Sequence, residues 1–94
     1  MKEMQELLKQ IPKGKVTTYK ILSRKLKIHP RVVGMLLSMN PEPVKYPCFK
    51  VINSNGNLGG YSGGGLKKKI ALLKKDGIQI QKNKIDLKIY GFNF

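Results

Sequence analysis

TTYKILSRKLKIHPRVVGMLLSM, residues 17–39, contains two short helical patterns separated by a tight break. Either threonine at its start is a typical N-cap, and the apolar positions that follow predict a helix that runs to about Leu26. The break falls at Ile28-His29, and Pro30 suits the first turn of a second helix that we expect to end at Met39. Two short helices around a tight turn are typical of a helix-turn-helix, whose second helix usually enters the major groove of DNA.

The segments on both sides of this pair have patterns of their own. Apolar residues spaced by three and four predict further helices, alternation predicts strands, and stretches rich in Pro, Asn or Gly predict turns. We expect helices over residues 1–11 and 66–76, a rigid turn over residues 40–43, a strand over residues 49–52 with a turn after it, and a β-hairpin over residues 78–89. These elements predict one mainly α domain with small β elements over residues 1–94.

The composition limits the classes to which the chain can belong. With 94 residues, 40% of them apolar, it is long enough for one hydrophobic core and too apolar for a disordered chain. No apolar run approaches the ~18 residues of a membrane span, and the N-terminus lacks the apolar stretch of a signal peptide, so we expect a cytoplasmic protein that binds no membrane. One cysteine and one histidine cannot form an internal disulfide or a four-ligand zinc site, so no metal or other cofactor is expected.

Charge is the strongest signal in the composition. Nineteen Lys and Arg residues against five acidic residues give a formal net charge of +14, which favours a polyanionic partner. The densest run, Lys67-Lys68-Lys69, is by itself most simply a solvated helix face. In combination with a helix-turn-helix, however, the net charge favours nucleic-acid binding, because cationic side chains release counterions from the phosphate backbone.

Three side chains are candidates for specific roles. Arg31, at the start of the second helix of the pair, either reaches the bases or serves as a phosphate clamp. Tyr19 either contacts DNA or packs in the core, which is the commoner fate of a helical tyrosine. A lone cysteine such as Cys48 is usually a buried small hydrophobe, yet this one follows a Pro-rich turn and has Lys45 and Lys50 nearby, cations that favour the nucleophilic thiolate.

Five short motifs follow one another along the chain. They are Ile11-Pro12-x-Gly14-x-Val16-x-x-Tyr19, Arg31-Val32-Val33-Gly34, Asn40-Pro41, Pro47-Cys48-x-x-Val51 and Gly59-Gly60-Tyr61-Ser62-Gly63-Gly64. In their order and spacing the chain resembles the C-terminal domain of the O6-alkylguanine-DNA alkyltransferases. The resemblance implies a monomeric winged helix-turn-helix that binds the minor groove of duplex DNA containing O6-alkylguanine, rather than the major groove, and flips the damaged base out of the stack.

This resemblance also implies a reaction at Cys48. The cysteine is expected to accept the alkyl group in one irreversible SN2 step, as in a single-turnover methyltransferase of DNA repair. The family's Pro-Cys-His-Arg-Val is replaced by Pro47-Cys48-Phe49-Lys50-Val51, so the histidine that relays the thiol proton through water to a glutamate is absent. Asp76 stands in the place of that glutamate, and loss of the relay is expected to slow the reaction without preventing it.

Roles in base flipping and base binding are implied in the same way. Arg31 is expected to fill the gap left in the duplex and Tyr19 to help swing the nucleotide out. Asn40 is expected to be the hinge between recognition helix and active-site loop, and Tyr61 to polarise the leaving guanine. The other expected DNA contacts are Thr18, Gly34 and Lys50. The residues expected to form the substrate pocket are Leu37, Asn40, Val51, Tyr61 and Ser62.

A second family is similar to the chain as well. Alkyltransferase-like proteins share the DNA-binding core, are often near this length and end in a segment similar to residues 84–92. They replace the cysteine and mark the lesion for nucleotide excision repair, whose proteins would then be partners. This chain has that tail but keeps Cys48, so the sequence leaves a transferase and a lesion sensor open. A transcription regulator with a structural cysteine would leave the glycine-rich motif at residues 59–64 unexplained.

Overall fold

Five α-helices, one 3-10 turn and two short strands form the fold in the computed structural model, which describes residues 2–43, 45–61 and 64–94. The helices are α1 (Lys2–Gln10), α2 (Tyr19–Leu26), α3 (Pro30–Ser38), α4 (Gly65–Lys75) and α5 (Leu87–Tyr90), and the 3-10 turn is Cys48–Lys50. The strands β1 (Thr17–Thr18) and β2 (Val51–Ile52) are parallel, with Thr17 opposite Val51 and Thr18 opposite Ile52. No helix in the described ranges is long and apolar enough to cross a bilayer. The mainly helical fold with a small β element is as predicted.

The helix-turn-helix consists of α2 and α3, and side chains fix both of its helix starts. The hydroxyl of Thr18 accepts a hydrogen bond from the Ile21 amide at 3.1 Å and caps α2. Lys27 ends that helix in the left-handed conformation, with φ of 59°. His29 then caps α3, because its Nδ1 accepts from the Arg31 amide at 3.1 Å. The predicted pair is therefore confirmed, with residues 27–29 as its turn.

Two hydrophobic clusters make up the core, and β2 lies between them. Adjacent strand residues point to opposite faces, so Val51 packs in the first cluster and Ile52 in the second. The first cluster joins α1, α2 and α3 and includes Cys48. The second is built from Val16, Ile52, Leu58, Leu73, Ile78 and Ile85. Cys48 therefore packs in the same cluster as the buried side chains of α2 and α3.

The predicted hairpin over residues 78–89 is wrong beyond its turn. A tight turn does form between Gln81 and Lys84, whose backbones pair, but Asp86 then caps a helix by accepting from the Lys88 amide at 2.9 Å. The end of this helix and the residues after it pair with Val16. The Val16 amide donates to the Tyr90 carbonyl at 2.8 Å, and the Val16 carbonyl accepts from the Phe92 amide at 2.7 Å. The end of the chain is thus bonded to the segment before β1.

The strand expected over residues 49–52 is shorter than predicted. The Lys50 amide donates to the Pro47 carbonyl at 3.1 Å, which winds Cys48 and Phe49 into the 3-10 turn and leaves only two residues of strand. The turn expected after the strand is present, since the Gly56 amide donates to the Asn53 carbonyl at 2.9 Å. Its glycine has φ of 90°, a conformation that favours glycine.

Candidate active site

A pocket of about 220 Å³ opens beside α3. It brings together the start of α2, the middle of α3, the 3-10 turn and the glycine-rich loop. The residues that line it are Tyr19, Gly34, Leu37, Ser38, Cys48, Gly60 and Tyr61. Five of the residues expected from the sequence to bind DNA or to form the site therefore meet in one place: Tyr19, Gly34, Leu37, Cys48 and Tyr61.

Cys48 begins the 3-10 turn, and its backbone is bonded to Tyr46. Its amide donates to the Tyr46 carbonyl at 2.7 Å, and the side-chain amide of Asn40 donates to the same carbonyl at 2.8 Å. The Asn40 oxygen accepts from the Glu42 amide at 3.1 Å. Asn40 therefore ties the residues just after α3 to the segment that carries the cysteine, which is the connection that a hinge at this position would need.

Burial raises the pKa of the Cys48 thiol, which is only 6% exposed. The Asn40 side chain and the positive charge of Lys69 lower that pKa in part. Burial also raises the pKa of Tyr19 and of Tyr61, and a charge on Cys48 raises both further. Both phenols are therefore protonated at neutral pH and able to donate a hydrogen bond to a bound base.

Gly59 allows a close approach at the edge of this site. Its φ is 72°, and a Cβ there would lie 3.3 Å from the hydroxyl of Tyr19. Any other residue would be strained in the backbone and crowded by the tyrosine. The glycine of the motif thus lets the Tyr19 ring lie against the loop that carries Tyr61.

Lys69 is a site residue that the sequence analysis missed. It was expected to belong to a solvated run, but it is fully buried, and its ammonium donates to the carbonyls of Val51, Leu58 and Gly60. Burial lowers its pKa to about 8. The signal was available in the sequence, because position 69 lies one helical turn before Leu73, on the buried face of α4.

Lys50 and Asp76 form an ion pair away from the pocket. Their Nζ and Oδ2 atoms are 2.9 Å apart, the lysine also donates to the Pro12 carbonyl at 3.0 Å, and the carboxylate accepts from the Gly14 amide at 2.9 Å. Lys50 is only 4% exposed, so the expectation that it contacts DNA is corrected. Asp76 is expected to be catalytic, but its carboxylate is occupied by this pair, and Phe49 packs against the second core cluster.

The remaining expected residues occupy different surroundings. Arg31 is exposed at the start of α3, where DNA could reach it. Thr18 is buried and its hydroxyl caps α2, which corrects its expected role as a DNA contact. Val51 is buried in the first core cluster, and neither it nor Asn40 is among the residues that line the pocket, which corrects their expected place there. Lys45 lies over the Tyr46 ring at 5.3 Å. Ser62 falls outside the described residues.

The fold and the pocket together define a helix-turn-helix protein of the DNA-binding class with a cysteine beside its second helix. Residues 1–78 match the family model described as 6-O-methylguanine DNA methyltransferase, DNA binding domain. The chain belongs to this family of DNA repair proteins, which confirms the resemblance found in the sequence.

Similar proteins include both kinds that the sequence resembles. The bifunctional methyltransferase/endonuclease of Picrophilus torridus is 49% identical over 89 residues, covering 93% of this chain and 30% of that protein. The O6-methylguanine-DNA methyltransferase of Pyrococcus kodakaraensis has a TM-score of 0.75 and 37% identity, covering 82% of this chain and 45% of that one. S. pombe Atl1, solved with damaged DNA containing O6-carboxymethylguanine, has the same fold with a TM-score of 0.84 and 24% identity, covering 100% of this chain and 98% of that one. The chain spans less than half the length of the first two proteins.

Proposed function

We propose that this chain binds duplex DNA containing O6-alkylguanine, takes the damaged base into the pocket beside α3 and transfers its alkyl group to Cys48. The observation that carries the proposal is the position of Cys48 in the wall of that pocket. It lies beside α3, which corresponds to the helix that inserts into DNA in helix-turn-helix proteins. Family membership supports the DNA partner, and the net charge of +14 supports attraction to phosphates.

The shape and lining of the pocket suit a single nucleobase. Its volume of about 220 Å³ is below the ~300–1,000 Å³ typical of sites for drug-sized ligands. Tyr19 and Tyr61 offer aromatic surface and hydroxyl donors, while Leu37 adds an apolar wall. A flat base with acceptor atoms on its edge matches these walls. The base would have to leave the stack to enter, and Arg31 would fill the gap.

The proposed chemistry is a single displacement. The Cys48 thiolate attacks the alkyl carbon, a C–S bond forms, and the bond from that carbon to O6 breaks. The electron pair of the broken bond stays on the guanine, which takes up one proton, while the thiol has lost one. Protons and electrons therefore balance without a co-reactant. We assign to the Tyr61 hydroxyl, which is protonated at neutral pH, the polarisation of the leaving guanine.

Intact-protein mass spectrometry tests this proposal. After incubation with a duplex that contains O6-methylguanine, the protein is expected to gain one methyl group in exchange for one hydrogen, once per molecule. The same duplex with guanine and the Cys48→Ser variant are the controls, and neither should show the gain. A mass that stays constant at every pH from 7 to 9, with a duplex that is demonstrably bound, would overturn the transferase proposal.

A lesion sensor is the second candidate function, and one observation favours it. Phe49 stands where the family has a proton-relaying histidine, and the Asp76 carboxylate is paired with Lys50, so neither side chain can relay the proton of the Cys48 thiol. A sensor would bind O6-alkylguanine with the same pocket and recruit proteins of nucleotide excision repair. Tight, lesion-selective binding without any mass gain would support it. Cys48→Ser should then leave lesion affinity unchanged, because the cysteine would only form part of the pocket wall.

A further inference from the structure

Lys69 is a charged residue enclosed by backbone carbonyls. It is 0% exposed, although its neighbours Lys67 and Lys68 on α4 face solvent. An ammonium group has three N–H donors, and the carbonyls of Val51, Leu58 and Gly60 accept one each. Because all its donors are used, this ammonium is fixed in position and has no free proton with which to bind a phosphate or a substrate.

Two of the carbonyls that hold Lys69 connect it to the candidate site. Val51 follows the 3-10 turn that carries Cys48, and Gly60 lines the pocket next to Tyr61. Lys69 therefore joins β2 to the loop that forms the far wall. Without it, the carbonyls of the buried residues Val51 and Leu58 would lose this donor, which is costly for a buried acceptor, and Gly60 would lose its link to α4.

The charge of Lys69 acts on Cys48. Among the described residues, four side chains are coupled to the Cys48 thiol through their effect on its pKa or its effect on theirs: Asn40, Tyr19, Tyr61 and Lys69. Lys69 is the positively charged member of this set. Lys50, which the sequence suggested for this role, is neutralised by Asp76.

We propose that Lys69 is a positioning residue that holds the pocket wall against β2 and supplies the fixed positive charge that favours the thiolate form of Cys48, in a chain without a histidine relay. The proposal rests on the proposed function only for the identity of the group that Cys48 attacks. The effect is reciprocal, since the thiolate also favours the charged form of Lys69. With a pKa of about 8, the lysine is roughly 90% charged at pH 7, so its charge is present under ordinary conditions.

Alkylation of Cys48 by iodoacetamide tests the effect of the charge without DNA. We compare pH–rate profiles of the wild type, Lys69→Gln, Lys69→Arg and the matched control Lys68→Gln, whose side chain is exposed on the same helix. Lys69→Gln is expected to slow alkylation at pH 7.5 by about threefold to tenfold and to move the profile to higher pH, because the loss of a buried positive charge disfavours the thiolate. Lys68→Gln and Lys69→Arg should keep the wild-type profile. Equal profiles for the two Gln variants, or equal shifts for Gln and Arg at position 69, would overturn the role of the charge.

A second measurement leaves Lys69 in place, in case its variants do not fold. The side-chain NMR signals of Lys69 are titrated in the wild type and in Cys48→Ser, in which no thiolate can form. Lys69 should become neutral at lower pH in the serine variant, and identical titrations would contradict the coupling. Neither measurement involves a lesion, so their failure leaves the proposed function standing. Conversely, the absence of a mass gain with methylated DNA would overturn that function without affecting the lysine result.

Discussion

Removal of the Asp76 carboxylate is expected to destabilise the fold severely while leaving Cys48 reactive. In Asp76→Ala the buried ammonium of Lys50 keeps only the Pro12 carbonyl, and the Gly14 amide loses its acceptor. Breaking a buried pair from one side costs about 3–5 kcal/mol, because an uncompensated charge remains. A domain of this size has about 5–15 kcal/mol of stability in total, so the loss is large but measurable. Asp76→Asn should cost less, since the amide oxygen can still accept from Gly14.

Urea unfolding of a double-mutant cycle measures this pair. Asp76→Ala, Lys50→Met and the double variant are compared at pH 7, with the m-value monitored to confirm two-state unfolding. We expect the double variant to be more stable than the sum of the single losses implies, by about 1–3 kcal/mol, because it leaves no unpaired charge. Additive losses would refute the ion-pair reasoning. A fall of tenfold or more in the iodoacetamide reactivity of folded Asp76→Asn would instead support a catalytic role for Asp76.

Four further outcomes follow from the same contacts. Gly34→Ala should raise the unfolding free energy by about 0.5–1 kcal/mol, since a Cβ there meets nothing within 4 Å. It should also weaken lesion binding by roughly tenfold if DNA packs on this face, and unchanged anisotropy titrations would place the DNA elsewhere. Arg31→Ala should weaken binding of alkylated DNA more than that of undamaged DNA, whereas equal losses would identify a phosphate contact. Phe49→His should change transfer at pH 7 by less than about twofold, because the carboxylate needed to orient an imidazole is already paired; a large acceleration in single-turnover assays would show a working relay. Because burial raises the pKa of Cys48, its alkylation rate should rise about tenfold per pH unit from 6 to 8, and a flat profile would contradict that direction.

The helix-turn-helix was predictable from sequence because local signals specify it. Thr18 caps the first helix with its own hydroxyl, and Pro30 fits the first turn of the second, so neither boundary depends on distant residues. The meeting of Tyr19, Cys48 and Tyr61 was expected from the family motifs and is present in the pocket.

The features that were missed depend on contacts between distant segments. The spacing from Leu73 places Lys69 on the buried face of α4, but the carbonyls that allow its charge to be buried lie up to 18 residues away. The pairing of Lys50 with Asp76 likewise requires the end of α4 to lie beside the 3-10 turn. At the end of the chain, alternation of Leu87 and Ile89 indicated a strand, but Asp86 offers a local helix cap that outweighs this pattern.

The bonds between Val16 and the last residues also constrain the order in which the protein can fold. The Gly14 amide donates to the Asp76 carboxylate, 62 positions further on, and the Lys15 ammonium donates to the Ile89 carbonyl, 74 positions further on. The contacts of α2 with α3 are local and can form as soon as residues 19–38 exist. The segment before β1, by contrast, cannot complete its contacts until residues 76–92 have been synthesised. During translation the helices α2 and α3 would thus form early, while the segment before β1 would complete its contacts only after residues 76–92 have left the ribosome.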